Sequence, residues 1–316
     1  MNYTEKKAKL EQDYTDLLLD LINQKTDKGP RTYGFEYEFL SSTPLTLEFM
    51  EKLYSFLPEC GFIFDKDCFN HSSGMYVTFE PGGQIEYHSL PILAEEGDER
   101  FNGFLELIEK TNSSIHRELD IEYIAAGYIP GRGNTPLCLK AKRYKNLHAR
   151  MPKSGSRGLE MMKGTASIHL HIGIRDTIEL APLVYSLIKM TAMNGFKMGR
   201  DRRDIWDNTD PTRCGLPFQN IEYNSRPRRV AEELVRFALS ADDIAENIPF
   251  HETKDLSFDA FMYHMTTIFT DVRLNIKGPS IELRTMDSVP FSQLKTQWKV
   301  FKSLIENDRV EKGLRS

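Results

Sequence analysis

Apolar residues recur at helical spacing over residues 3–24, where Leu10, Tyr14, Leu17, Leu18, Leu21 and Ile22 form one stripe. The stripe stops at the polar break from Lys25 to Pro30, so the first predicted element is a helix. The period then drops to two. Phe35-Glu36-Tyr37-Glu38-Phe39 alternates apolar and acidic residues and predicts a strand over 33–40. Thr46 is placed to cap a helix over 47–57. Segment 75–88, MYVTFEPGGQIEYH, reads as strand, Pro-Gly-Gly turn and strand, hence a hairpin. A helix over 93–116 and a strand from Ile121 to Ile129 follow. Residues 131–160 are rich in Gly, Pro and basic residues and predict a long loop. A strand at 166–174 contains the alternation Ile168-His169-Leu170-His171-Ile172 and leads into a helix over 177–194. Residues 200–228 read as irregular, and helices over 229–240 and 257–269 come next. Strands at 271–276 and 280–286, the second carrying Ile281-Glu282-Leu283-Arg284-Thr285, precede a final helix over 291–305.

This order mixes helices and strands without regular βαβ alternation and includes a hairpin. It predicts an α+β fold with a largely antiparallel sheet and helices covering one side. Residues 1–316 are read as one domain: an N-terminal helix in 1–30, a sheet-based core over 31–290 and a C-terminal helix in 291–316. A composition of 40% hydrophobic and 28% charged residues is that of a soluble globular chain. The net charge of −5 gives no global basic surface for nucleic acid. No run approaches the ~18 apolar residues of a membrane span, and MNYTEKKAKLEQDY has no apolar core of a secretory signal. Cys60, Cys68, Cys138 and Cys214 stand far apart without C-x-x-C, which disfavours a zinc cluster and fits reduced thiols. The expectation is a cytoplasmic protein without membrane or nucleic-acid partners. Its oligomeric state leaves no mark on the sequence.

The alternating strands carry the candidate chemistry. Glu36 and Glu38 share one sheet face, and the turn at Gly82-Gly83 lets Glu80 and Glu86 converge from two hairpin arms. Taken singly, each acid reads as a solvated edge residue. Together they repel unless cations intervene, and a hard divalent ion collects carboxylate oxygens. His169 and His171 form an H-x-H pair suited to metal or phosphate, or to a structural role. Glu282 and Arg284 either neutralise each other or divide the work, with the acid on a metal and the guanidinium on a phosphate. Arg273 lies near the same sheet end. Segment 140–157 holds seven Lys or Arg, among them Arg150 and Lys153, with His148 and no acid. A polyphosphate or carboxylate substrate would give that excess a purpose. There is no GxxxxGK(S/T), GxGxxG or GxSxG, so a bound nucleotide would be held through metal ions and basic side chains on the sheet.

FEYE, EPGGQIE, RMPKSGSRGLEMMKGT, DIWDNTDPTRCGLPF and HMTTIFTDVRLNIKGPSIELRTMD resemble, in order, motifs of the plant and proteobacterial branch of glutamate–cysteine ligase. That family is similar to glutamine synthetase in its E-x-E, G-Q-x-E, H-x-H and E-x-R strands. The resemblance runs over roughly residues 33 to 310, and His264 to Arg273 is its most specific stretch. It implies a glutamine-synthetase-like catalytic domain whose sheet is the active-site floor. It implies an ATP-dependent carboxylate–amine ligase of glutathione biosynthesis that forms a γ-glutamyl amide through an acyl phosphate. A glutamate-like donor and an amino-acid or peptide amine acceptor would be the substrates. ATP and Mg²⁺ are the implied cofactors, with Mn²⁺ open because of the histidines. The implied metal ligands are Glu36, Glu38, Glu80, Glu86, His169 and Glu282. Arg284 would hold the transferred phosphoryl group, Arg202 and Arg213 substrate or phosphate, and Lys153, Arg150, Arg273 and His264 the nucleotide. A phosphotransferase of the same fold, and a non-catalytic member that binds ATP or an amino acid, are the alternatives.

Overall fold

In the computed structural model, which describes residues 3–96 and 98–313, the alternating segments become neighbouring strands. The strands are β1 (Thr32–Ser41), β2 (Phe62–Asp65), β3 (Cys68–His71), β4 (Tyr76–Phe79), β5 (Ile85–His88), β6 (Ile92–Leu93), β7 (Tyr123–Ile124), β8 (Ser167–Gly173), β9 (Cys214–Gly215), β10 (Phe269–Thr270), β11 (Val272–Asn275) and β12 (Ser280–Asp287). The helices are α1 (Tyr3–Lys25), α2 (Leu47–Phe56), α3 (Glu99–Leu119), α4 (Lys142–Ser154), α5 (Gly158–Gly164), α6 (Leu180–Met190), α7 (Arg200–Asp207), α8 (Pro227–Ser240), α9 (Phe258–Met265) and α10 (Phe291–Gly313). The main sheet runs β11-β12-β8-β1-β5-β4-β3-β2, with β6 and β7 also paired to β1. All of its pairings are antiparallel, as the α+β reading expects.

β1 is central because its apolar residues face a dense aromatic layer. Phe35 lies 5.4 Å from Phe101 of α3 and 6.2 Å from Trp298 of α10, and those two rings stack at 4.5 Å. Tyr37 meets Phe291 at 5.7 Å. The same face of β8 and β12 buries Ile168, Leu170, Ile172, Ile281 and Leu283 in this core. With one face so committed, the period of two sends the ionisable residues to the other. Thr46 caps α2 as read, its hydroxyl accepting the Phe49 N–H at 3.3 Å. None of the described helices is long and apolar enough to cross a membrane.

Several expectations need correction. Segment 131–160 is no long loop: α4 and α5 occupy most of it. In α4, Leu147, Arg150 and Met151 are buried at helical spacing while Lys142, Lys145 and Lys153 project outward, and the basic composition masked that period. Residues 62–71 form a hairpin the sequence did not advertise. Its Lys66-Asp67 turn places Lys66 at φ 57°, with neither Asn nor Gly to signal it. The strand at 121–129 shrinks to Tyr123–Ile124, the helix expected from 93 begins at Glu99, and α7 lies inside the segment read as irregular. Helices cover both faces rather than one: α3 and α10 back the sheet, while α4, α5, α7 and α9 line a cavity over the ionisable face.

Trp298, fully buried between strand and helix aromatics, is the anchor of the back layer. Trp298→Ala is expected to lower unfolding free energy by about 3–5 kcal/mol in chemical denaturation. A change below about 1 kcal/mol would mean that the aromatic layer does not hold β1 in place.

Candidate functional site

Strand register, more than sequence spacing, builds the site. Across β5, β1 and β8, Glu36 pairs with His88 on one side and His169 on the other. Two residues along β1, Glu38 pairs with Glu86. Across β8, β12 and β11, Glu282 pairs with His171 and Arg273. Directly opposed side chains on one sheet face start within about 5 Å of each other, so these rows form one polar surface. The hairpin turn completes it. Gly83 takes φ 84° and its N–H reaches the Glu80 carbonyl at 2.9 Å. A Cβ on Gly82 would stand 2.5 Å from the Lys163 carbonyl oxygen, so the turn packs directly on α5. Gln84 locks that contact through the Met162 and Thr165 carbonyls, at 3.2 and 3.1 Å.

The hydrogen bonds fix each ring and carboxylate. His169 Nδ1 bonds the Glu36 carboxylate, and its Nε2 lies 2.8 Å from Ser167 Oγ and 3.5 Å from Glu38 Oε1. The Ser167 N–H donates to Glu38 Oε2 at 2.7 Å. His88 stacks on Tyr76 at 4.2 Å, with Nε2 3.1 Å from Glu86 Oε2 and 2.7 Å from Thr78 Oγ1. Thr78 in turn donates to Glu86 Oε2 at 2.9 Å. Glu282, wholly buried, accepts Arg273 Nε at 2.7 Å and Arg284 Nη1 at 3.0 Å.

Charge balance divides the carboxylates into two classes. Burial alone would raise them all. For Glu282, burial is the largest single influence, but Arg273, His171 and Arg284 together outweigh it and hold the group down at about 2. Glu36 is likewise held well below the carboxylate range, burial losing to His171 and His169, and Glu86 is lowered, burial being offset by His88 and His169 together. Glu38 and Glu80 go the other way. Burial and the neighbouring Glu86 lift Glu38 well above its ordinary range and Glu80 to about 8. His169 is pushed down to about 4 by burial and by Arg284, so it is neutral at pH 7.

The donor set fits divalent cations. Three groups, Glu36–Glu86–His88, Glu38–Glu86–His169 and Glu36–His171–Glu282, each place one ligand atom per residue within 4.8 Å of the others. Among the described residues, Glu282 Oε1, His88 Nδ1 and His171 Nε2 are buried and have no hydrogen-bond partner. Carboxylate oxygen with imidazole nitrogen is a ligand set for Mg²⁺- or Mn²⁺-class ions.

The expected metal residues are thus gathered: Glu36, Glu38, Glu80, Glu86 and His169 line a cavity of about 800 Å³, and Glu282 closes the row beneath Arg273 and Arg284, which also line it. Arg143 and Tyr144 of α4 sit at the same wall. Leu147, Met161, Met162, Trp206, Met265 and Phe269 add an apolar part to the lining.

Four other expected residues are turned to structural work, which corrects their assignment to substrate or nucleotide. Arg202 is buried, with Nη1 on the Ala166 and Met286 carbonyls at 3.2 Å and Nη2 on those of Arg284 and Thr285 at 3.0 Å. It thereby ties down the bulge of β12 that carries Arg284. Arg213, wholly buried, bonds Asp210 at 2.8 Å and Thr267, while Arg150 bonds Asp210 at 3.0 Å and Asp242 at 2.9 Å. His264 Nε2 donates to the Ala238 carbonyl at 3.0 Å and its ring stacks on Phe250. Lys153 stands exposed in the last turn of α4, outside the cavity lining. Spacing cannot separate an arginine saturated by carbonyls from one facing a substrate.

Sequence reasoning also passed over His88. The alternation Ile85-Glu86-Tyr87-His88 puts its ring on the face of Glu86, and that signal was available.

The profile of Glutamate-cysteine ligase family 2 (GCS2) matches residues 32–198 and 192–301. Glutamate–cysteine ligase B, chloroplastic, of Oryza sativa subsp. japonica is 25% identical over 257 residues, spanning 69% of this chain and 49% of that protein. Glutamate–cysteine ligase, chloroplastic, of Medicago truncatula is 26% identical over 257 residues, with 69% and 48% covered. The chain spans about half the length of these relatives. A solved structure described as a novel glutamine synthase homolog aligns at TM-score 0.31 and 12% identity over 80% of this chain and 65% of that one, too slight a likeness to bear on the fold.

The raised Glu80 carboxyl has a stability consequence. The folded, metal-free protein keeps a proton there that the unfolded chain releases near 4.5. Rising pH therefore favours the unfolded state from about 4.5 up to about 8. In EDTA, the Tm of wild type is expected to fall relative to that of Glu80→Gln across this window, and added Mn²⁺ to close the gap. Parallel Tm profiles for the two proteins would contradict the assigned shift.

Proposed function

Because the chain belongs to Glutamate-cysteine ligase family 2, we propose that it is an ATP-dependent ligase joining the side-chain carboxylate of a glutamate-like donor to an amino-acid or peptide amine. The observation that carries this reading is the mixed lining of the cavity. One part of the lining gathers Glu36, Glu38, Glu80, Glu86, His88 and His169 with Arg273 and Arg284, and another carries the apolar and aromatic Leu147, Met161, Met162, Trp206, Met265 and Phe269. A triphosphate suits the first part and a flat heterocycle the second.

In the proposed reaction the donor carboxylate attacks the γ-phosphorus of ATP, an O–P bond forms and ADP departs with the electrons of the broken P–O bond. The amine then adds to the acyl carbon, phosphate leaves with the C–O pair, and the amine gives up a proton as the amide forms. Phosphoryl transfer asks chiefly for positioning and charge neutralisation. Divalent ions, when bound, would neutralise phosphate oxygens and hold them in line. Glu36, Glu38, Glu80, Glu86, His169 and Glu282 would hold those ions. Arg284 commits Nη1 to Glu282, and its buried Nε has no hydrogen-bond partner among the described residues, so the guanidinium keeps a donor for a phosphoryl oxygen. Arg273 shares Glu282 and faces the same cavity. Arg202 acts at one remove by fixing the bulge beneath Arg284. The reading takes residues 1–316 as one catalytic domain, supported by residues of α1 and α10 entering the core cluster of the sheet.

Purified protein with Mg²⁺ or Mn²⁺, ATP and glutamate is expected to release ADP in an amine-dependent way, with a γ-glutamyl amide detected by mass across a panel of amino acids. Glu38→Gln is expected to lower that rate at least about a hundredfold. Folding should survive, since Glu38 already favours its neutral form and Gln can still accept the Ser167 N–H. A phosphorylated product that persists beside amines would identify a phosphotransferase instead, and nucleotide binding without turnover a binding protein.

A further inference from the structure

His88 is the one ring in the cluster that the E-x-E, G-Q-x-E, H-x-H and E-x-R strands leave unaccounted for. It is 8% exposed and lies directly across from Glu36, at the end of β5. Stacking on Tyr76, with an interplanar angle of 4°, fixes the plane of the ring. Thr78 Oγ1 and Glu86 fix its Nε2 edge. The opposite edge is different. Nδ1 lies 3.5 Å from Glu36 Oε1, makes no hydrogen bond and is sealed from solvent. Packing on Tyr76 alone does not call for a buried nitrogen held at ion-pair distance from a carboxylate without a hydrogen bond. A metal ligand does, and a ring whose far nitrogen is fixed by a hydrogen-bonding partner is the usual arrangement around a bound ion.

We propose that His88 is a direct ligand of a divalent cation shared with Glu36 and Glu86, and that His88, His169 and His171 together make this cluster select manganese-class ions over magnesium. The proposal rests on the reading of this face as the ion-binding wall of a ligase and goes beyond it in assigning the third imidazole. Each of the three donor groups contains one histidine: His88, His169 or His171. Mg²⁺ prefers an all-oxygen octahedron and keeps its water, whereas imidazole nitrogen favours the transition ions. A pure carboxylate cluster would give no such preference. Here every group carries one histidine, and two of the three rings hold a buried nitrogen without a hydrogen bond 3.5 Å from Glu36 Oε1, at His88 Nδ1 and His171 Nε2.

The test uses the full chain, stripped of metal and loaded with Mn²⁺ without nucleotide. Pulsed electron paramagnetic resonance on wild-type protein with and without ¹⁵N-histidine should show histidine nitrogen coupled to Mn²⁺. His88→Gln should remove part of that coupling and lower the Mn²⁺-to-Mg²⁺ affinity ratio, read by calorimetric competition, by about tenfold. His116→Gln, exposed on α3, should leave both unchanged. Mn²⁺ bound to wild type without any histidine coupling would overturn the proposal, whether or not the variant folds. Unaltered coupling, or an unaltered ratio, in a folded His88→Gln would also overturn it, leaving the ligase reading intact. Failure of wild type to bind either ion would overturn both.

Discussion

Five glutamates and three histidines share one sheet face, and like charge at close range is the constraint around which this molecule is arranged. Two carboxylates 4 Å apart repel by about 4 kcal/mol at an effective dielectric constant of 20. The structure disperses that cost by interleaving. Glu36 stands between His88 and His169, and Glu282 between His171 and Arg273. Glu38 and Glu80, pressed by burial and by the Glu86 carboxylate, retain protons instead. Under the proposed reading, divalent ions would take the place of those protons.

The remaining architecture holds that face rigid. The aromatic layer of Phe35, Phe101 and Trp298 commits one side of β1 to the core and leaves the other to the ionisable residues. Arg202 spends its four Nη contacts on backbone carbonyls at the β8 end and the β12 bulge, so the strand carrying Arg284 cannot slide. The turn at Gly82 and Gly83 rests on α5 without room for a side chain, which sets Glu80 relative to Glu86. Asp210, shared by Arg150 and Arg213, ties α4 to the segment following α7 and so fixes the far side of the cavity.

The alternating strands were legible in the sequence because period two is a local signal and each buried face is aromatic or branched. The hairpin at 76–88 was legible because Pro-Gly-Gly admits few other backbones. The acidic set followed from both, and with it the α+β class. What escaped depends on register or on tertiary saturation. That His88 lies across from Glu36 follows only from the pairing of β1 with β5. Arg150, Arg213 and His264 sit in the quoted motifs and Arg202 just before one. Each nevertheless has a partner brought from a distant segment: Asp210 for Arg150, Thr267 for Arg213, and the Ala238 and Ala166 carbonyls for His264 and Arg202. α4 was hidden because its lysines obscured the spacing of Leu147 and Met151.

The central claim is that carboxylates from separate strands converge on shared divalent ions. Anomalous scattering from crystals grown in Mn²⁺ tests it most directly. Peaks bounded by the carboxylates of Glu36, Glu38 and Glu86, with further density reaching Glu282, are the predicted result. Saturating Mn²⁺ that produces no peak between these side chains, or peaks only at the protein surface, would contradict it.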